Sequence, residues 1–326
     1  MAILITGGAG YIGSHMVLAA IERGEDVVVL DDLSTGSRSL VAQRAHFVTG
    51  NAGDKALVKG LIAKHTIDAV IHFAGSIVVP DSVAQPLAYY ANNTVVARNL
   101  IEAAVESEVR NFIFSSTATV YAGISDEPLS ETLPTGPISP YGRSKLMTEW
   151  MLEDSARAYD FRHVALRYFN VAGADPLGRT GQTSPRATHL IKRACQVALG
   201  RAPKLDIFGT DYPTPDGTGV RDYIHVSDLV AAHALALDYL RGGGAAAVMN
   251  CGYGHGSSVR EVIAAVERVA GAKLPVTETA RRPGDPPWLI ADSRLIRNTL
   301  GWVPTHDDLD EIVASAYAWE RRLNAS

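Results

Sequence analysis

The sequence predicts an α/β protein, a doubly wound parallel sheet with a smaller interleaved C-terminal lobe. Three observations point there. Over the first 75 residues short apolar runs alternate with helical stretches. The runs are apolar at nearly every position rather than at alternate ones, as in strands covered on both faces. A glycine-rich turn follows directly on the first of them. Strand, helix, strand at this spacing gives βαβ units and a parallel sheet.

The elements follow in order. Ile3–Thr6 reads as a strand and Ile12–Arg23 as a helix. Asp26–Leu30 and Ala45–Val48 are strands, Asp54–Lys64 a helix, Ala69–Phe73 a strand. A helix spans Leu87–Glu106, a strand Asn111–Ser115, a helix Pro140–Ala158 and a strand His163–Tyr168. After about residue 170 the texture changes. Ala172–Pro185 is a Gly- and Pro-rich loop, then come a helix over Thr188–Leu199, the run Leu205–Phe208 and a loop over Thr210–Gly219. Val226–Leu240 is helical, and Ala246–Asn250 is a strand that returns to the first sheet. Val259–Ala270 and Leu309–Leu323 are helices. The expected division is 1–169, with 220–250, for the first domain, and 170–219 with 251–326 for the lobe.

Composition excludes several classes. With 47% hydrophobic and 20% charged residues, wholesale disorder fails. A balance of 35 acidic against 30 basic residues disfavours a nucleic-acid binder. Cys195 and Cys251, the two cysteines, make neither a disulfide framework nor a structural zinc site. The ten histidines show no metal-ligand spacing, so no metal is expected. No apolar run approaches the ~18 residues of a membrane span. Met1–Ile5 runs straight into a strand without a basic region. No signal peptide, no membrane and a cytoplasmic location are the expectations.

The strand Ile3–Thr6 runs into Gly7-Gly8-Ala9-Gly10-Tyr11-Ile12-Gly13. Gly7, Gly10 and Gly13 fit GxxGxxG, and Gly8, Gly10 and Gly13 fit GxGxxG. Glycines allow the sharp turn and bring backbone N–H groups to a pyrophosphate at a helix N-terminus. The setting after a strand and before a helix makes this a Rossmann-type dinucleotide site. The second strand ends at Asp31, where a carboxylate accepts from ribose hydroxyls and repels a 2′-phosphate. That favours NAD over NADP. Arg38 lies well past the strand end.

Tyr141 and Lys145 stand at i and i+4, on one face of the helix that begins at Pro140. A phenol with a pKa near ~10 needs help to act as a base. The ammonium and an oxidised nicotinamide are expected to lower it, and a shift of about three units corresponds to roughly 4 kcal/mol. Ser115, Ser116 and Thr117 end the strand Asn111–Ser115, at the carboxyl edge where such sheets carry their sites. One of these hydroxyls is expected to reach the substrate. His225 reads as a packed structural residue.

These residues resemble the extended short-chain dehydrogenase/reductase superfamily, and within it the UDP-glucose 4-epimerase family. The resemblance runs over nearly the whole chain. Its marks are the glycine loop, Phe112-Ile113-Phe114-Ser115-Ser116-Thr117-Ala118-Thr119-Val120-Tyr121, Ser139-Pro140-Tyr141-Gly142-Arg143-Ser144-Lys145, Arg167-Tyr168-Phe169-Asn170, Gly217-Thr218-Gly219-Val220-Arg221-Asp222-Tyr223-Ile224-His225-Val226 and Arg282-Pro283-Gly284-Asp285. The resemblance implies a redox-neutral inversion at carbon 4 of a UDP-hexose. Tyr141 takes the hydroxyl proton, hydride passes to a tightly held NAD, the 4-keto sugar turns over, and hydride returns to its other face. Thr117 would hold the 4-oxygen, and Lys145 the nicotinamide ribose.

By the same resemblance NAD would be held by Gly7, Gly10, Tyr11, Ile12, Gly13, Asp31, Asp32, Ser34, Thr35, Gly36, Asn51, Ala52, Phe73, Ala74, Gly75, Asn92, Ser115, Tyr141, Lys145 and Tyr168. The UDP-sugar would be held by Thr117, Tyr141, Asn170, His189, Leu190, Arg221, Arg282, Asp285 and Leu289. A homodimer through Leu87–Glu106 and Pro140–Ala158 is implied as well. Three positions depart from the family pattern. Gly50-Asn51-Ala52 has an amide where an acid is usual, Ile77 stands where many members carry a phosphate-binding Lys, and Leu289 is intermediate at the sugar-pocket gate. Sugar breadth is therefore open, with pentose, uronate and N-acetylhexosamine 4-epimerases as alternatives. A 4,6-dehydratase is disfavoured, because Ala118 and Thr119 follow Thr117 where elimination needs carboxylates. An NAD-binding sensor without turnover would not need Tyr141 and Lys145.

Overall fold

The computed structural model describes residues 1–121, 127–184, 188–282 and 285–325. Strand β1 (Ala2–Thr6) is buried at every position. It leads through the glycine turn into α1 (Tyr11–Glu22) and then β2 (Asp26–Asp31), β3 (His46–Thr49), α2 (Lys55–His65) and β4 (Ile67–His72). Three helical pieces follow, α3 (Val79–Ala84), α4 (Pro86–Tyr89) and α5 (Val96–Glu106), the last two joined by a π turn over Tyr90–Val95. Next come β5 (Asn111–Thr117), α6 (Pro140–Ala158), β6 (Arg162–Tyr168) and β7 (Asn170–Ala172). The C-terminal half holds α7 (Leu190–Ala198), β8 (Leu205–Phe208), β9 (Val220–Arg221), β10 (Tyr223–His225), α8 (Val226–Arg241), β11 (Ala247–Cys251) and β12 (Ser257–Ser258). It closes with α9 (Val259–Ala270), β13 (Val276–Thr279), β14 (Trp288–Leu289), α10 (Arg294–Leu300) and α11 (Leu309–Ala325).

Seven strands form one parallel sheet in the order β11-β6-β5-β4-β1-β2-β3. This is the Rossmann arrangement extended by one strand, with the order reversing at β1 and β4. Period-2 alternation sends Ile3, Ile5, Val27, Val29, Ile71 and Ile113 to one face, under α1 and α8. Leu4, Val28, Leu30, Val70, Phe112 and Phe114 go to the other, under α2, α5 and α6. Both faces are covered, which accounts for the nearly uninterrupted apolar runs. The return of residues 247–251 to the sheet agrees with the expected strand there.

Local signals set the helix ends. Asp54 accepts from Leu57 N–H at the start of α2, and Ser139 from Gly142 N–H at the start of α6, where Pro140 fits the first turn. Ser258 and Glu261 form a capping box on α9. The expected helix over Leu87–Glu106 runs unbroken through α4, the π turn and α5, with Tyr89, Tyr90, Val95 and Val96 at the junctions all right-handed helical. The π turn buries the Asn93 side chain, which bonds Ser76 N and O at 2.7 and 3.0 Å and Ser144 Oγ at 3.0 Å. The remaining strands form small sheets, β7 with β10, β8 with β13, and β9 between β12 and β14.

Candidate active site

The carboxyl ends of β1, β2, β4, β5 and β6 meet at one edge of the sheet. Gly7 ends β1 with a φ of +72°, and a Cβ there would lie 2.5 Å from Ala74 N. A Cβ on Gly13 would lie 2.1 Å from Gly7 O, so only glycine lets α1 pack on its own entry turn. Gly10 caps α1 without a side chain. The first-turn N–H groups of Tyr11, Ile12 and Gly13 therefore have no intrahelical partner. The Tyr11 hydroxyl donates to the Gly173 carbonyl at 2.6 Å, so this residue offers its backbone to a ligand and ties the loop to the turn after β7.

Asp31 is buried at the end of β2. Its carboxylate accepts from Ala9 N–H at 2.9 Å and Leu33 N–H at 2.8 Å. Burial raises its pKa while these two N–H groups oppose the rise. Asp32, Ser34 and Thr35 are exposed beyond it, and Ser37 N–H on the Ala9 carbonyl lays the Ser34–Gly36 loop against the glycine turn. Arg38 is turned away, donating to the Val41 carbonyl and lying 4.7 Å from the Phe47 ring centroid. Asn51 Oδ1 accepts from Gly53 N–H at 2.7 Å beside buried Ala52. Phe73-Ala74-Gly75 follows β4, and Asn92 donates to Ser76 Oγ on the same loop. The free helix N-terminus and the carboxylate on the next strand are the donor and acceptor set a dinucleotide requires.

Tyr141 and Lys145 are both buried on α6. Lys145 Nζ donates to the Ser115 carbonyl at 2.9 Å and lies 4.9 Å from the Phe114 ring centroid. Burial pushes its pKa down to about 8, with Glu149 opposing. Tyr141 corrects an expectation. Burial pushes its pKa up to about 12, against the pull of the Thr117 hydroxyl, and the Tyr89 phenol adds to the rise. In the protein alone the phenol stays neutral, because desolvation outweighs every nearby donor. Tyr168 stands opposite Thr117 in the sheet, and burial drives its phenol well above its ordinary range.

The other residues expected to hold the UDP-sugar follow β6 in the chain. Asn170 opens β7, its N–H on the Asp222 carbonyl. His189 precedes Leu190 at the start of α7, and its Nδ1 is 2.8 Å from the Gln182 amide. Arg221 is ion-paired to Asp285 at 2.5 Å, and Arg282 stacks 3.8 Å from the Phe208 ring centroid. Leu289 pairs with Arg221 across β14 and β9 and packs against the apolar cluster that holds Ala118, Val120, Leu146 and Phe169. Pro185, at the end of the expected loop, and Pro283–Gly284, inside the Arg282–Asp285 motif, lie outside the described residues.

The fold brings in residues the sequence reading passed over. Phe208 supplies the Arg282 platform, and Asn93 ties the loop after β4 to α6. Buried Asp222 accepts from Tyr253, Gly254 and Ala291 N–H at 2.9, 3.0 and 3.2 Å, which anchors the segment carrying Leu289. Its pKa is pushed up to about 6 by burial. Each contact spans tens of residues and leaves no local pattern. His225 is fully buried, accepts from Ser227 N–H and has its pKa pushed down to about 4, in keeping with its structural reading.

A model of the NAD-dependent epimerase/dehydratase family matches residues 3–252. The chain belongs to that family. Among its epimerase/dehydratase relatives, the UDP-glucose 4-epimerase of Azospirillum brasilense is 56% identical over 324 residues, 99% of this chain and 93% of that protein. The UDP-glucose 4-epimerase of Brucella ovis, solved in complex with NAD, superposes with a TM-score of 0.95 at 44% identity, covering 97% of each chain. The UDP-Glc/GlcNAc 4-epimerase of Campylobacter jejuni gives 0.87 at 47% identity, covering 98% of this chain and 99% of that one. Among the described residues, no group of three or more His, Cys, Asp or Glu could hold a metal, and no helix is long and apolar enough to cross a membrane.

Proposed function

We propose that this chain is a UDP-glucose 4-epimerase that interconverts UDP-galactose and UDP-glucose through a 4-keto intermediate. The observation that carries the reading is that α6 brings Tyr141 to Thr117 and Lys145 to Ser115 at the end of β5, beside the turn after β1 that a dinucleotide needs. NAD, when bound, would supply the hydride acceptor for carbon 4 and a positive charge beside the phenol. Tyr141 then takes the 4-hydroxyl proton and later returns it, while Thr117 orients the 4-oxygen. Lys145 keeps two N–H donors beyond its bond to the Ser115 carbonyl, enough for ribose hydroxyls. Arg221 and Arg282 suit the two phosphate charges of a UDP-sugar, with the diphosphate competing against Asp285 for Arg221. The deciding experiment is turnover of UDP-galactose by purified protein without added cofactor. No conversion of any UDP-hexose would sink the proposal.

The cofactor extracted from the purified protein is expected to be NAD. A carboxylate at the end of β2 would repel a 2′-phosphate, and Arg38 is engaged with the Val41 carbonyl. Finding NADP would overturn that assignment.

Selectivity against N-acetyl sugars is expected to be moderate, since a misfit at an apolar wall is worth ~1–3 kcal/mol. Leu289→Ser should raise kcat/KM for UDP-N-acetylglucosamine relative to UDP-galactose, and Leu289→Tyr should lower it. A ratio that ignores residue size would remove Leu289 from the sugar pocket.

A homodimer in the cytoplasm is part of the same reading. Leu87 and Val95 on one helical segment, and Met147 and Trp150 on α6, are exposed large apolar side chains that support association there.

A further inference from the structure

Tyr141, Lys145 and Glu149 follow one another at intervals of four on α6, so they form one stripe. Each meets a residue at the end of β5. The Thr117 hydroxyl acts on the Tyr141 phenol, the Ser115 carbonyl accepts from Lys145 at 2.9 Å, and the Ser116 hydroxyl donates to Glu149 Oε1. Arg167 on β6 is the direct sheet partner of Ser116. It donates from Nε to Glu149 Oε1 at 3.0 Å and from Nη2 to Oε2 at 2.6 Å. Glu149 and Arg167 are 3% and 5% exposed, so this fork-to-fork pair is shielded from solvent and geometrically exacting.

We propose that Glu149 is a positioning residue, plugging into the Ser116–Arg167 cross-strand pair to fix the register of α6 against β5 and hence the placement of Tyr141 and Lys145. The inference rests on the reading that those two residues carry the reaction. Burying an ion pair is a weak way to gain stability, and its best-attested use is to specify one arrangement. Here the alternative arrangements are slides of α6 along β5, each of which would part Tyr141 from Thr117. Glu149 also supplies the negative charge that helps keep the buried Lys145 protonated. The other titratable group acting on that ammonium is His72 on β4, while Tyr89 of α4 faces Tyr141. Burial and Lys145 keep His72 neutral, with its pKa pushed down to about 3, so it does not titrate alongside the lysine.

The test uses purified cofactor-loaded protein and three variants. Glu149→Gln is expected to lower kcat by up to roughly 10²-fold, as small misplacements of reacting groups do, with KM for UDP-galactose within about twofold. The alkaline limb of its kcat profile should move down by about one unit, because Lys145 loses its carboxylate and Arg167 loses its counter-charge. Glu149→Asp, which restores charge but not reach, should return the alkaline limb while kcat stays low. Ser116→Ala removes one arm with little risk to folding and should lower kcat less, again at unchanged KM. Wild-type kcat and alkaline limb in Glu149→Gln would overturn the proposal. So would parallel loss of bound NAD, melting temperature and activity in that variant with Ser116→Ala at wild-type kcat. If Glu149→Gln does not fold, Ser116→Ala decides. Inactive wild type, or active Tyr141→Phe, fails the proposed function instead. The Lys145 titration followed by 13C NMR of the lysine side chains then still judges Glu149, which requires it to fall in Glu149→Gln.

Discussion

Tyr141→Phe is expected to cut kcat by ~10²–10⁴-fold while leaving the fold and UDP-sugar affinity in place. The ring stays, so no cavity opens in the buried site. The lost hydroxyl leaves little unpaired behind it. Thr117 Oγ1 keeps Thr119 Oγ1 at 3.1 Å and Thr119 N–H at 3.2 Å as partners. What disappears is the one group placed to take and return the 4-hydroxyl proton. Stopped assays with UDP-galactose, together with thermal melting and a UDP-sugar titration, separate these effects. A variant that turns over near the wild-type rate would remove Tyr141 from the chemistry.

Lys145→Met should lose activity and gain stability together. The ammonium is buried, and its pKa falls from 10.5 to about 8. A depressed lysine pKa means the unfolded chain binds more protons than the folded one between those two values. Stability of the wild type therefore rises with pH across that window, and below it the full penalty of about 3 kcal/mol applies. Methionine matches the stem without the charge. It leaves the Ser115 carbonyl short of a donor, which costs ~1–3 kcal/mol and offsets part of the gain. At pH 7 a net gain of up to about 2 kcal/mol is expected in urea unfolding, shrinking as the pH is raised towards 10. Turnover should drop by on the order of 10²-fold. A methionine variant less stable than wild type at pH 7 would mean that the lysine is not held at a cost.

The parts of the molecule readable in sequence are those fixed by neighbours along the chain. The runs Ile3–Thr6 and Asp26–Leu30, the glycine turn and the Tyr141–Lys145 spacing all carry their signal within one element. So did Pro140–Ala158 and Val259–Ala270, whose caps are written beside them and whose limits match α6 and α9. Strands of two or three residues, such as β9 and β14, have no period to detect and exist because Val220–Arg221 finds Trp288–Leu289. Asn93 looks like one of two equivalent asparagines until the π turn buries it. Glu149 reads as one more charge on a helix, and only β6, arriving with Arg167, gives it a partner. The Tyr141 pKa was expected to fall because spacing reveals the nearby cation. Burial, which spacing does not reveal, sends it the other way.

The place of β11 at the edge of the large sheet has a consequence for how the chain is made. β6 is sandwiched between β5 and β11, and β11 is not synthesised until Ala247–Cys251. At ~5–20 residues per second, the emerging chain holds β6 with one bare edge for seconds. That edge carries Val164, Ala165 and Leu166, all without solvent exposure in the finished molecule. An unpaired apolar strand edge is a template for joining other chains. Parallel closure with so distant a partner is also intrinsically slow. The nascent polypeptide therefore has a window of vulnerability that ends only when α8 has packed and β11 has docked. Since β6 also contributes Arg167 and Tyr168, the β5–β6 end of the active site is settled at that same late moment, before Arg282, Asp285 and Leu289 are even made, and chaperone shelter during those seconds protects catalysis as much as folding.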